Sequence, residues 1–157
     1  MAIRKIRELG DEVLTKKCKD VTKMTLRNRI LINDMLDTMY EAQGVGLAAP
    51  QVGVLKKIVV IDIGDGPIVL INPEILEVSG EQTGEEACLS VPGKAGTVTR
   101  PNYVRIRTLN EDMEEIEMEG DELLARAFCH EIDHLEGKMY VEMVEGGLHD
   151  AVYEEEE

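Results

Sequence analysis

Apolar residues recur at helical spacing in two stretches of the chain and at strand spacing in several others. After Thr25, a residue type suited to capping a helix start, Leu26, Ile30, Leu31, Met35 and Met39 recur at helical spacing, and Gly44 closes the run. This predicts an amphipathic helix facing the core. A second helix is predicted from Asp121, with Leu123, Leu124, Ala127 and Phe128 on its apolar side and a stop at Gly137. Between the two, Lys57 to Asp62, Pro67 to Asn72 and Ile75 to Val78 read as strands punctuated by Gly and Pro. Tyr103 to Leu109 and Glu115 to Met118 alternate apolar with charged residues, as half-exposed antiparallel strands do, and the hairpin between them turns at Asn110-Glu111-Asp112. Residues 11 to 18 carry a weaker helical signal. A helix, a run of strands and a helix, in that order, define an α+β chain and not alternating βαβ units.

The length of 157 residues suits one domain with a core that needs no disulfides. No repeat or linker divides it, so residues 1 to 147 are expected to form a single domain and residues 148 to 157 an acidic tail. With 43% apolar but only 3% aromatic residues, the core must rest on Leu, Ile, Val and Met. A net charge of −15 repels phosphate backbones and anionic lipid, which argues against a nucleic-acid or membrane-surface protein. No apolar run is long enough to cross a bilayer, and the N-terminus carries no signal-peptide core. Three cysteines in no disulfide spacing complete the expectation of a reduced, cytoplasmic setting.

The second helix carries the sharpest chemistry, His130-Glu131-Ile132-Asp133-His134. Histidines at i and i+4 lie one above the other on a helix face and can reach the same metal ion, with Glu131 beside them to handle protons. Two ligands are too few for a catalytic centre, which usually has three and an open position. Downstream only His149 is available, in a Gly-rich acidic segment with nothing evident to hold it. Cys88, in Glu85-Glu86-Ala87-Cys88-Leu89-Ser90, offers soft thiolate chemistry, although residue type alone favours a buried structural cysteine.

Three segments together resemble the signature motifs of the peptide deformylases, in the order found in that family. They are Gly44-Val45-Gly46-Leu47-Ala48-Ala49-Pro50-Gln51, Glu86-Ala87-Cys88-Leu89-Ser90 and His130-Glu131-Ile132-Asp133-His134. The resemblance extends from about residue 2 to residue 143. It implies antiparallel sheets packed around a central helix bearing the histidines, and hydrolysis of the N-formyl group of formylmethionyl peptides with release of formate. It implies that Cys88, His130 and His134 hold one divalent metal, natively Fe(2+), with Zn, Ni or Co able to substitute, and that a water takes the fourth position. Glu131 then moves the proton from that water to the leaving amine, while the Gln51 side-chain amide and the Leu89 N–H receive the developing oxyanion. Gly46 admits the substrate backbone, and Val45, Leu123 and Ala127 are candidates for the methionine pocket, a role that competes with ordinary packing for Leu123. Glu86 is expected to pair with Arg100.

The chain departs from the family pattern at Ala87, where Gly is usual, and at Cys129, where Gln is usual and a second thiol raises the prospect of oxidation with Cys88. It also ends in an acidic tail where many members carry a basic helix for ribosome docking, so any ribosome association should not run through that route. Two other readings stand beside this one. A zincin-type metalloprotease shares the histidine motif but lacks a convincing third ligand downstream. A non-catalytic metal-binding module would be expected to have lost Glu131 or Gln51, and both are present.

Overall fold

Thr25 begins the first helix as expected: its hydroxyl accepts a hydrogen bond from the Asn28 N–H, satisfying one of the free amides of the first turn. The computed structural model describes residues 2–151, and in it α1 spans Leu26–Glu41. The helix leaves its course at Ala42, one turn element before Gly44, because Gln43 adopts a left-handed φ of 59° and lets the Gly44 N–H close on the Met39 carbonyl. Leu31, Met35 and Met39 are buried with Ile32, Asn28 and Thr38, which fixes the inward stripe. Leu26 and Ile30 do not belong to it: they are 75% and 47% exposed. The sequence reading placed the apolar face too far round the helix because it ignored the buried polar positions 28 and 38.

Five strands form an antiparallel sheet in the order β1 (Gly46–Ala48), β2 (Ile58–Ile61), β3 (Ile68–Ser79), β6 (Tyr103–Leu109) and β7 (Glu115–Asp121). A second antiparallel sheet contains β4 (Gln82–Glu86), β5 (Lys94–Arg100) and β8 (Glu145–Asp150). The helix α2 covers Glu122–Leu135. All four residues of β2 are buried, because helices cover both faces of this part of the sheet. Ile58 and Val60 pack with Leu31, Met35 and Met39 of α1, while Val59 and Ile61 pack with Ala125, Phe128 and Leu135 of α2. On the far side of α2 a third cluster joins Cys88, Val98 and Tyr140 to Leu14. The histidine helix is therefore central, between the two sheets.

Other boundaries moved for identifiable reasons. The two strands expected at residues 67–72 and 75–78 are one, β3, which bends at register shifts around Asn72, itself at φ 51°. Asn72 uses its side chain to hold both the N–H and the carbonyl of Val21, each at 2.8 Å, in place of a neighbouring strand. The turn after β6 falls where expected, with Asn110 Oδ1 accepting from the Asp112 and Glu114 N–H groups. Residues 12–15 form a 3-10 turn capped by Asp11. The expected boundary between domain and tail at 147 and 148 falls inside β8, and His149, thought to have nothing to hold it, pairs with Ala95 of β5. The rest of the expected tail, from residue 152, lies outside the described residues.

Candidate active site

The chain brings its three motifs together at one end of α2. Cys88 stands just after β4 in a turn closed by the Val91 N–H on the Cys88 carbonyl, and His130 and His134 project from successive turns of the helix. The ligand atoms of Cys88, His130 and His134 all lie within 4.8 Å of one another, and all three residues are buried. A thiolate at about 2.3 Å and an imidazole at about 2.0–2.1 Å from one tetrahedral ion stand about 3.6 Å apart. Cys88 Sγ and His134 Nε2 are separated by 3.3 Å, so the residues fit a metal ion with little movement.

The orientation of His130 is set by Glu86. Its Nδ1 lies 2.8 Å from Glu86 Oε2, so the carboxylate accepts a hydrogen bond from Nδ1–H and leaves the Nε2 lone pair free to face a cation. Glu86 is itself gripped by Arg100, whose Nη2 and Nε donate at 2.7 and 3.1 Å, and by Arg126 Nη1 at 3.0 Å. Arg100 also donates to Asp133 at 2.8 Å, and Arg126 to the Val98 carbonyl. Two carboxylates thus face two guanidinium groups in a network that is buried except at the half-buried Asp133. Burial would raise the Glu86 pKa, but the His130 and Arg100 hydrogen bonds win and hold it down at about 2. The Glu86–Arg100 pair was foreseen; Arg126 and Asp133 were missed. Arg126 lies four residues before His130, and that shared helix face was the available signal.

Glu131 differs in kind from Glu86. Among the described residues its Oε1 has no hydrogen-bond partner, and its Oε2 is 3.9 Å from His130 Nε2. Burial pushes its pKa up to about 7, where a carboxyl group can take and release a proton at neutral pH. Burial likewise pulls His134 down to about 3, keeping its ring neutral as a metal ligand requires. Gln51 places its amide nitrogen 3.0 Å from Ser90 Oγ and 3.4 Å from Cys88 Sγ, while its oxygen accepts from the Ala48 N–H. The Leu89 N–H has no backbone acceptor among the described residues.

A cavity of about 560 Å³ opens over these groups. Cys88, His130 and Glu131 line it together with Gln51 and Leu89. The four residues assigned to substrate contact, Val45, Gly46, Leu123 and Ala127, line it as well. Leu123 is 47% and Val45 45% exposed, so neither serves as core. Two glycines of the first motif are there for space. A Cβ on Gly44 would stand 2.6 Å from Leu89 Cδ1, and one on Gly46 would stand 2.5 Å from Glu131 Oε2.

Both substitutions in the motifs are accommodated. Ala87 has no positive φ, and it is exposed on the cavity wall. Cys129 packs in the layer between α2 and the five-stranded sheet with Ala48 and Val59, whereas Cys88 belongs to the cluster on the other side. Burial raises the Cys129 pKa to about 11, which removes its thiolate at neutral pH.

A buried thiol and two imidazoles around one point, beside a carboxylate with one oxygen free of hydrogen bonds among the described residues, in an open cleft, define a metal-dependent hydrolase. The family model described as polypeptide deformylase matches residues 3–147. The chain belongs to that family, whose members remove the formyl group from the N-terminal methionine of nascent peptides. It is similar to the peptide deformylase of Agathobacter rectalis, with 68% identity over 155 residues covering 99% of this chain and 98% of the relative. Among solved structures, the peptide deformylase of Legionella pneumophila superposes with a TM-score of 0.89 at 48% identity, covering 92% of this chain and 88% of that one. That of Thermotoga maritima gives a TM-score of 0.90 at 40% identity, with 92% and 99% covered.

Proposed function

We propose that Cys88, His130 and His134 hold a ferrous ion, that Glu131 is the proton carrier, and that Gln51 and Leu89 receive the formyl oxygen. The observation that carries this reading is the buried Glu131 carboxylate, whose Oε1 has no hydrogen-bond partner among the described residues, next to a three-donor cluster. A divalent ion held there supplies Lewis acidity, polarising the formyl carbonyl and acidifying water. Glu131 accepts the proton of the attacking water and passes it to the amine as the carbon–nitrogen bond breaks, so that formate and a free amino terminus leave. The Gln51 Nε2 and Leu89 N–H groups donate to the oxygen as it gains charge, and a preorganised donor of this type contributes a rate factor of roughly 10²–10³.

Val45, Leu123 and Ala127 form the surface on which the methionine side chain rests, and Gly46 leaves room for the peptide backbone. Soft thiolate and borderline imidazole donors accept iron, zinc, nickel and cobalt, and iron is the native choice in this reading. The substrate setting is the cytoplasm, where formylated chains emerge. Among the described residues no helix is long and apolar enough to cross a membrane. The net charge of −15 disfavours contact with nucleic acid, including through the acidic C-terminal segment.

Metal analysis of protein purified without oxygen, run beside a formyl-Met peptide assay, tests the assignment. Iron near stoichiometry, with formate release proportional to iron content, is the expected result. Full activity in iron-free protein carrying zinc alone would overturn the choice of metal.

A further inference from the structure

The C-terminal strand and the residue that follows it touch the cleft wall at three points, and none of them takes part in the reaction assigned above. Asp150 lies opposite Lys94 in the β5–β8 register and pairs with its ammonium group at 2.5 Å. His149 Nε2 is 2.6 Å from Glu85 Oε1. The Ala151 N–H donates to the Gly93 carbonyl at 2.9 Å. Glu85, Gly93 and Lys94 all line the cavity that contains Cys88 and Glu131. The Glu85 and Lys94 side chains are 61% and 49% exposed, which places them at the mouth and not at the floor. A nascent chain cannot fit in about 560 Å³, so whatever follows the formylated methionine must leave through that mouth.

We propose that β8 balances the charge of the cleft mouth: His149 occupies Glu85 and Asp150 occupies Lys94, so that peptides pass whatever the charge of the residues after formyl-Met. This rests on reading the cavity as the substrate site. His149 and Asp150 are positioning residues that act through Glu85 and Lys94. Freeing Lys94 gives the mouth one uncompensated positive charge, and freeing Glu85 removes its hydrogen-bond partner and, where the His149 imidazole is protonated, leaves one uncompensated negative charge. The wall meets the peptide away from the scissile bond and binds ground state and transition state alike, so the effect falls on KM and leaves kcat unchanged.

The test uses the full-length, metal-loaded enzyme with two formyl-Met peptides that carry either lysines or glutamates after the methionine, and with formyl-Met amide. Asp150→Asn is expected to shift the kcat/KM ratio toward the glutamate peptide, and His149→Ala toward the lysine peptide. Each shift should be about two- to five-fold at low salt, the size of an exposed charge interaction, and should vanish at about 1 M salt. Formyl-Met amide, which does not reach the mouth, should be turned over equally by all three proteins. Shifts in the same direction in both variants, or none in either, overturn the proposal, because loosening the strand would move both alike. Leu123→Lys separates the underlying reading: an unchanged KM for formyl-Met amide in that variant means that the cavity is not the substrate's.

Discussion

Gly46 and Glu131 interlock, since the Glu131 carboxylate occupies the space in which any side chain at position 46 would begin, 2.5 Å from its Oε2. The glycine is not required by backbone conformation, because Gly46 is absent from the positive-φ residues. It is required because a Cβ there would also stand 2.9 Å from Glu131 Cδ and 3.0 Å from Cγ, so the whole carboxyl end of the proposed base would have to shift. Gly46→Ala is therefore expected to retain metal and lower kcat about 100-fold, the cost of a misplacement near 1 Å. Combining it with Glu131→Asp, which withdraws the carboxylate by one methylene, should cost little beyond Glu131→Asp alone. Additive losses in this double-mutant cycle would show that the two residues act separately.

Ligation and proton transfer are separate tasks in the proposed mechanism, so they should separate on mutation. Glu131→Gln keeps the shape but not the basicity and should bind metal normally while losing roughly 10²–10⁴ in turnover. Metal content by elemental analysis and single-turnover formate release check both halves. Activity within a few-fold of wild type would remove Glu131 from its role.

Three buried cysteines offer a built-in control. Cys18 and Cys129 sit in one apolar cluster, each with its pKa raised to about 11 by burial, and Cys88 sits at the metal-donor cluster. Cys88→Ser should lower metal occupancy steeply, whereas Cys18→Ser should preserve it and register as a loss of thermal stability. Equal metal loss from the two substitutions is the result that would sink the Cys/His/His site.

Glu86 should matter to folding and to the metal together. Glu86→Gln leaves Arg100 and Arg126 buried with their main partner gone. Removing one member of a buried ion pair costs about 3–5 kcal/mol, which for a chain of this length lowers Tm by roughly 10 °C. Loss of the charged acceptor for His130 Nδ1, with one amide oxygen left for all of its donors, should also weaken metal binding about 10- to 100-fold. Glu117→Gln, at the exposed pair with Arg105, should scarcely change Tm, and a drop as large as that of Glu86→Gln would contradict the distinction.

The parts of this protein that were legible in the sequence are those with a strong local signature. The cap at Thr25, the alternation of Tyr103 to Leu109 and the spacing of His130 and His134 each correspond to one physical requirement, and each appears where expected. What escaped notice depends on long-range partners. β4, β5 and β8 are polar or Gly-rich and become strands through pairing with one another. Arg126 looks like an ordinary surface arginine until Glu86, 40 residues away, is folded against it. The motifs picked out the donor cluster proposed as the reaction centre, while the support beneath it came from contacts that no local pattern announces.

That limit bears most directly on the C-terminal segment. All the proposed ligands and donors precede Gly137, so a chain stopped at Gly147 should still fold and deformylate short formyl-Met substrates at near the full-length rate. It loses Leu148, His149 and Asp150 from β8, however, and with them the contacts to Glu85 and Lys94. For longer peptides the truncated chain should therefore show an altered KM with kcat preserved, whereas a chain stopped at Ala151 should match full length on every substrate. The segment removed in that second truncation ends in four glutamates, which RNA phosphates repel. Neither truncation should change ribosome association in sedimentation at low salt. Loss of association on removing residues 152–157 would show that the segment docks in spite of its charge, and a collapse of formyl-Met amide turnover in the Gly147 chain would show that β8 is needed for the fold itself.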